Sequence, residues 1–101
     1  MIDQSEMFTS AWLLIGITGS TPGNLELAQG RISFTTSDRQ IFEVPVSSVT
    51  DVNFPWYYFG GGVKFRIGSE SYRISFVEPG EHGNIRDGRR AGKAWKAILA
   101  S

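Results

Sequence analysis

Glycine and proline cut the chain into short segments, and up to about residue 80 most of them alternate apolar with polar residues. That period of two is the mark of strands with one face covered. Trp12-Leu13-Leu14-Ile15-Gly16-Ile17 departs from it as a continuous apolar run, which predicts a first strand placed centrally in a sheet. The cluster Gly19-Ser20-Thr21-Pro22-Gly23 predicts the turn that follows. Leu25 to Ala28 and Arg31 to Phe34 flank Gln29-Gly30, a two-residue loop whose glycine can take positive φ. The loop sets Leu27 opposite Ile32 and Leu25 opposite Phe34, all on one face, and a slip of one residue would turn the four to solvent.

A polar loop around Thr36 to Asp38 leads to a fourth strand, Gln40 to Val44, with Phe42 and Val44 inward and Pro45 ending it. Val46 to Val49 reads as a short turn. A fifth strand is predicted from Thr50 to about Tyr57, with Val52, Phe54 and Trp56 on one face, before Gly60-Gly61-Gly62. Strand six, Val63 to Ile67, turns at Gly68-Ser69 into strand seven, Tyr72 to Val77. Val63, Phe65, Ile67, Tyr72, Ile74 and Phe76 then face inward, and Lys64, Arg66, Arg73 and Ser75 face out. After Pro79-Gly80 the period changes. Asn84 is placed as a helix cap, Asp87 falls in the first turn, and Ala91, Trp95, Ile98 and Leu99 form one apolar stripe on a helix over about 85–100. Trp95, the largest of the stripe, is expected to enter the core.

Seven strands and one amphipathic C-terminal helix, with the hairpin Leu25 to Phe34, the segment Phe42 to Val52 and the helix bearing Trp95, resemble a pleckstrin-homology-like domain. The likeness includes the GRAM and bacterial PH-like branches and runs from about residue 8 to residue 100. It implies a mainly β fold: a seven-stranded, partly open barrel of two roughly orthogonal antiparallel sheets, capped by the helix, with residues 1–101 as a single domain. Such domains often bind phosphoinositide head groups near the loop between strands one and two. Here that loop, Gly19 to Asn24 on this reading, has no Lys or Arg, so the resemblance does not extend to specific inositol-phosphate recognition. An OB-like or other small β-barrel with a capping helix is the alternative fold.

Composition narrows the class. The chain has 101 residues, 41% hydrophobic and 13% aromatic, with no cysteine. These are the proportions of one small globular domain, with neither a disulfide framework nor a cysteine-ligated zinc. No basic residue precedes the apolar run, so no signal peptide is read, and seven apolar residues fall far short of the about 20 of a membrane span. The expected location is cytoplasmic, with peripheral membrane association open to it.

Ten Lys+Arg balance ten Asp+Glu, but unevenly. Residues 86–101 carry Arg86, Arg89, Arg90, Lys93 and Lys96 against Asp87, a net of +4, and residues 1–85 carry −4. At about 100° per residue the five cations occupy an arc of about 120° opposite Ala91, Trp95 and Ile98. They form a candidate surface for an anionic membrane or an acidic partner, or else an ordinary solvated face. A second candidate is the outward set Lys64, Arg66 and Arg73. With Gly68-Ser69 as the turn, Lys64 faces Arg73; with Ser69-Glu70, Arg66 does. Either juxtaposition of like charges costs stability unless an anion lies between, or unless Glu26, Glu43 or Glu78 neutralises it from a neighbouring strand. Trp56, Tyr57, Tyr58 and Phe59 alternate faces, so one pair is a candidate aromatic contact at a barrel mouth or outer face.

Enzymatic chemistry finds little to build on. His82 is the only histidine and lies in a Gly-rich loop, Ser47-Ser48 lacks a nearby base, and Gly60-Gly61-Gly62 leads to a strand without a following Gly-Lys-Ser/Thr. The expectation is therefore a non-enzymatic binding or scaffold module, without metal or cofactor. Its candidate partners are an anionic membrane surface, a protein partner or another copy of the chain. The alternative is a small β-barrel that binds single-stranded nucleic acid, against which the zero net charge weighs.

Overall fold

The computed structural model describes residues 6–55, 60–78 and 85–99. Seven antiparallel strands precede one helix: β1 (Met7–Ile15), β2 (Gly19–Ala28), β3 (Arg31–Thr35), β4 (Gln40–Pro45), β5 (Val49–Asn53), β6 (Gly62–Ile67), β7 (Glu70–Ser75) and α1 (Ile85–Leu99). The strands form a single sheet in the order β4-β3-β2-β1-β7-β6-β5, with the apolar run of β1 at its centre as expected. Where two roughly orthogonal sheets were expected, the strands pair as one, β1 and β7 joining two limbs with Trp12 opposite Ser75 and Leu13 opposite Ile74.

The sheet cannot be flat. Its edge strands β4 and β5 are consecutive in the chain, linked by the single 3-10 turn Val46–Ser48. Three residues span about 10 Å at most, whereas the edges of a flat seven-stranded sheet stand roughly 29 Å apart. Rolling brings β4 over β6 and β7, where the Phe42 ring lies 5.9 Å from Phe65 and 4.8 Å from Tyr72, centroid to centroid. No strand pairing among the described residues closes the gap between β4 and β5.

The β2–β3 hairpin follows its sequence signal. Gln29 and Gly30 take φ of 55° and 75°, Leu27 pairs with Ile32 and Leu25 with Phe34, and all four side chains are buried. The first turn does not. Gly19 to Gly23 belongs to β2, paired with β1 along its whole length, and the chain reverses at Gly16–Thr18. Proline is tolerated there because β3 stops at Thr35 opposite Asn24, which leaves β2 an edge from Gly19 to Gly23. The predicted strand end at Ile17 is thus the turn itself.

The fifth strand is shorter than predicted. Asp51 adopts φ of 53°, and the register slips by one residue between Thr50 opposite Arg66 and Asn53 opposite Lys64, a β-bulge that bends the strand. Phe54 and Pro55 lie beyond the strand, and Pro55 has no N–H to continue a ladder. Gly68-Ser69 is the turn between β6 and β7, with Lys64 opposite Arg73.

Trp95 is fully buried, as expected, and its Nε1 donates to Thr9 Oγ1 at 3.0 Å. The helix approaches the sheet through glycines that the apolar stripe did not include. A Cβ on Gly92 would overlap the Gly60 carbonyl, and one on Gly88 would overlap the Val77 side chain. Asp87 occupies the first turn; Asn84 and His82 lie outside the described residues.

Candidate functional site

The outward cations of β6 and β7 share one face, fixed by the register of Lys64 opposite Arg73 and Arg66 opposite Ser71. A shallow concavity of about 470 Å³ runs across them and takes in Asp51 and Asn53 of β5. Charge is disposed unevenly within it. Arg66 Nη1 lies 3.5 Å from Asp51 Oδ2, both side chains exposed. The alternative to an anion between the cations, neutralisation by Glu26, Glu43 or Glu78, is not found among the described ion pairs; the β5 bulge brings Asp51 there instead, and Glu43 lies 3.5 Å from Arg31. Arg73 reaches past its own strand, Nη2 donating to the Gly16 carbonyl in the β1–β2 turn. Lys64 has no ion-pair partner among the described residues.

The Arg73 bond ties this patch to residues that the sequence reading placed in a covered strand. Ile17 is 100% exposed and Ile15 52% exposed, both at the tip of the β1–β2 hairpin. An apolar tip with a guanidinium at its base, and Lys64 opposite that arginine, combines the two features that an interface between water and lipid rewards. The sequence offers no local signal for this exposure, since apolar residues read as covered until the turn at residues 16–18 is located. The turn itself holds no Lys or Arg, as the sequence reading held for the loop there.

The cations of α1 lie elsewhere. Arg86, Arg89, Arg90, Lys93 and Lys96 are all exposed, on the side away from Trp95. Arg89, Lys93 and Lys96 border a groove of about 250 Å³ floored by Phe54, Pro55 and Gly60. The helix is anchored at Thr9, and Ile15 lies six residue steps further along β1, about 20 Å of extended chain. The two basic groups therefore sit toward opposite ends of β1. Trp56, Tyr57, Tyr58 and Phe59 lie outside the described residues.

Tyr72, under the Phe42 ring, has its phenol pushed above the usual range by burial and, secondarily, by the Glu70 carboxylate. No group of three or more metal-ligating side chains occurs among the described residues, and no helix among them is long and apolar enough to cross a membrane. The chain matches no protein-family model, and no curated protein matches it.

Proposed function

We propose that the chain is a non-enzymatic binding module of pleckstrin-homology-like layout that rests on an anionic membrane surface through the β1–β2 tip. The curled sheet with its two limbs meeting at β1 and β7, and the helix pinned by Trp95, support that layout. The observation that carries the functional reading is the wholly exposed Ile17 beside a turn held by Arg73. Ile15 and Ile17 enter the interface, while Arg73, Lys64 and Arg66 face the anionic head groups. Burying one isoleucine contributes about 1.5–3 kcal/mol, and each cation near the surface about 1 kcal/mol. Such terms give reversible, peripheral association.

Cosedimentation with vesicles tests it. Binding is expected with anionic lipid and not with neutral lipid alone, and Ile17→Asp should lower the affinity at least tenfold, since 1.4 kcal/mol is one decade. Ile17 is fully exposed, so that change leaves the fold intact. Absence of binding to both vesicle types refutes the reading. A labelled single strand is expected not to bind; binding that falls steeply with salt would favour the nucleic-acid alternative instead.

A further inference from the structure

The flank of α1 that bears Asp87 and Ala91 lies over a crevice where β1 and β7 part company. β1 pairs with β7 only at Trp12 and Leu13, so its earlier residues have no partner there, and the space of about 330 Å³ between Phe8, Trp12, Glu78 and Asp87 is not filled by the described residues. Phe8 is 66% exposed, the most exposed aromatic among the described residues. It also borders a second depression of about 420 Å³ with Glu6 and Glu26, the latter directly opposite it on β2. One exposed aromatic ring thus has acidic neighbours on both sides. No lysine, arginine or histidine among the described residues lines either depression. None of these four carboxylates makes an ion pair with a described residue, although Arg90 follows Asp87 by three positions on the helix.

An aromatic face set among carboxylates suits a guanidinium or ammonium borne on an apolar stem, since the ring quadrupole attracts the cation and the stem covers the ring. The chain carries the matching surface itself. Arg86, Arg90 and Lys93 lie on the exposed arc of α1, and none of them lines the crevice of its own molecule; in this arrangement they do not fill it. A second molecule can. The unequal charges, +4 on residues 86–101 and −4 on residues 1–85, are what such a pairing of unlike surfaces requires.

We propose that the crevice around Phe8 receives the cationic face of α1 from a second copy of this chain, so that copies associate head to tail. The interface differs from the sheet edges, which are β4 and β5. It does not depend on the membrane reading, because the β1–β2 tip lies at the other end of β1.

Sedimentation velocity over a wide concentration range is the test. At low salt the full chain should exceed its monomer mass of 11.2 kDa as concentration rises. At about 1 M salt, where the screening length is about 3 Å, it should return to monomer. Phe8→Ala, Glu26→Lys/Glu78→Lys and Arg90→Glu/Lys93→Glu should each weaken association about tenfold or more. The two charge-reversed variants, mixed in equal amounts, should associate again. Near-ultraviolet circular dichroism would confirm that each variant is folded. A wild-type chain monomeric throughout at low salt, or association indifferent to these changes, overturns the proposal. Ile17→Asp should lower vesicle affinity at least tenfold without altering self-association, so the two ideas fail separately.

Discussion

Lys64→Glu should make the protein more stable and a poorer membrane binder. Lys64 stands opposite Arg73 across the β6–β7 hairpin, and Arg73 is held in place by the Gly16 carbonyl, so the arginine cannot swing away. Cross-strand charge pairs are worth about 0.2–1 kcal/mol each, with the sign set by the charges. Converting repulsion to attraction therefore contributes about 0.5–1.5 kcal/mol. In a domain of this size 1 kcal/mol moves Tm by about 4–8 °C, so a rise of about 2–12 °C is expected by thermal unfolding. On vesicles the same change removes a cation and adds an anion, together about 2 kcal/mol, or about a 30-fold loss of affinity. Lys64→Gln should show about half of each effect. A fall in Tm for Lys64→Glu would refute the facing of Lys64 and Arg73. An unchanged vesicle affinity would refute the placement of this face on the membrane.

Gly92→Ala sets two principles against each other. Helix propensity favours alanine by about 1 kcal/mol, but the new Cβ meets the Gly60 backbone and must displace the helix, at about 1–3 kcal/mol. A net loss of stability in denaturant titration is expected, while Ala94→Gly, at an exposed position, should lose about 1 kcal/mol from propensity alone. Trp95→Ala should cost about 3–5 kcal/mol, a large part of a typical total, and Thr9→Val only about 1 kcal/mol. Tyr72 has a raised folded pKa, so its contribution is complete below the unfolded value of about 10 and is lost as pH rises through the folded one. Denaturant midpoints measured on either side of pH 10 should therefore fall less for Tyr72→Phe than for the wild type. Glu43→Gln should change stability by less than about 1 kcal/mol, because its pairing with Arg31 is exposed.

The hairpin Leu25 to Phe34 was legible because one covered face and a two-residue loop together leave a single register, whereas for β6 and β7 the strands were legible but two turns remained open until the pairing of Lys64 with Arg73 decided between them. Trp95 was legible because its neighbours recur with helical period. The β1–β2 turn was not, because five Gly, Ser, Thr and Pro residues imitate a loop, and only full pairing with β1 makes them a strand. The same error hid Ile17, since apolar residues read as covered until a turn is located. The β5 bulge is equally silent in sequence: aspartate tolerates the left-handed region, but nothing local announces that Asp51 uses it. Its effect on the candidate site is direct, because the bend sets Asp51 beside Arg66. Gly88 and Gly92 escape an apolar stripe because a stripe counts side chains, and here the helix packs against Val77 and Gly60 at positions that have none.

A net charge of zero conceals three separate dispositions of charge. On β6 and β7 the cations are partly answered: Asp51 takes Arg66, a carbonyl takes Arg73, and Lys64 is left facing its like. On α1 five cations stand exposed on one arc. Around Phe8 four carboxylates border two depressions that no described cation lines, and none of them makes an ion pair with a described residue. Solvation alone accounts for exposed charges placed singly, because water screens them at little cost. It does not account for an exposed aromatic ring among acids on one flank of a helix whose other side is uniformly basic. Ionic strength separates the two explanations, since a solvated pair of surfaces loses nothing at high salt and a mutual one comes apart.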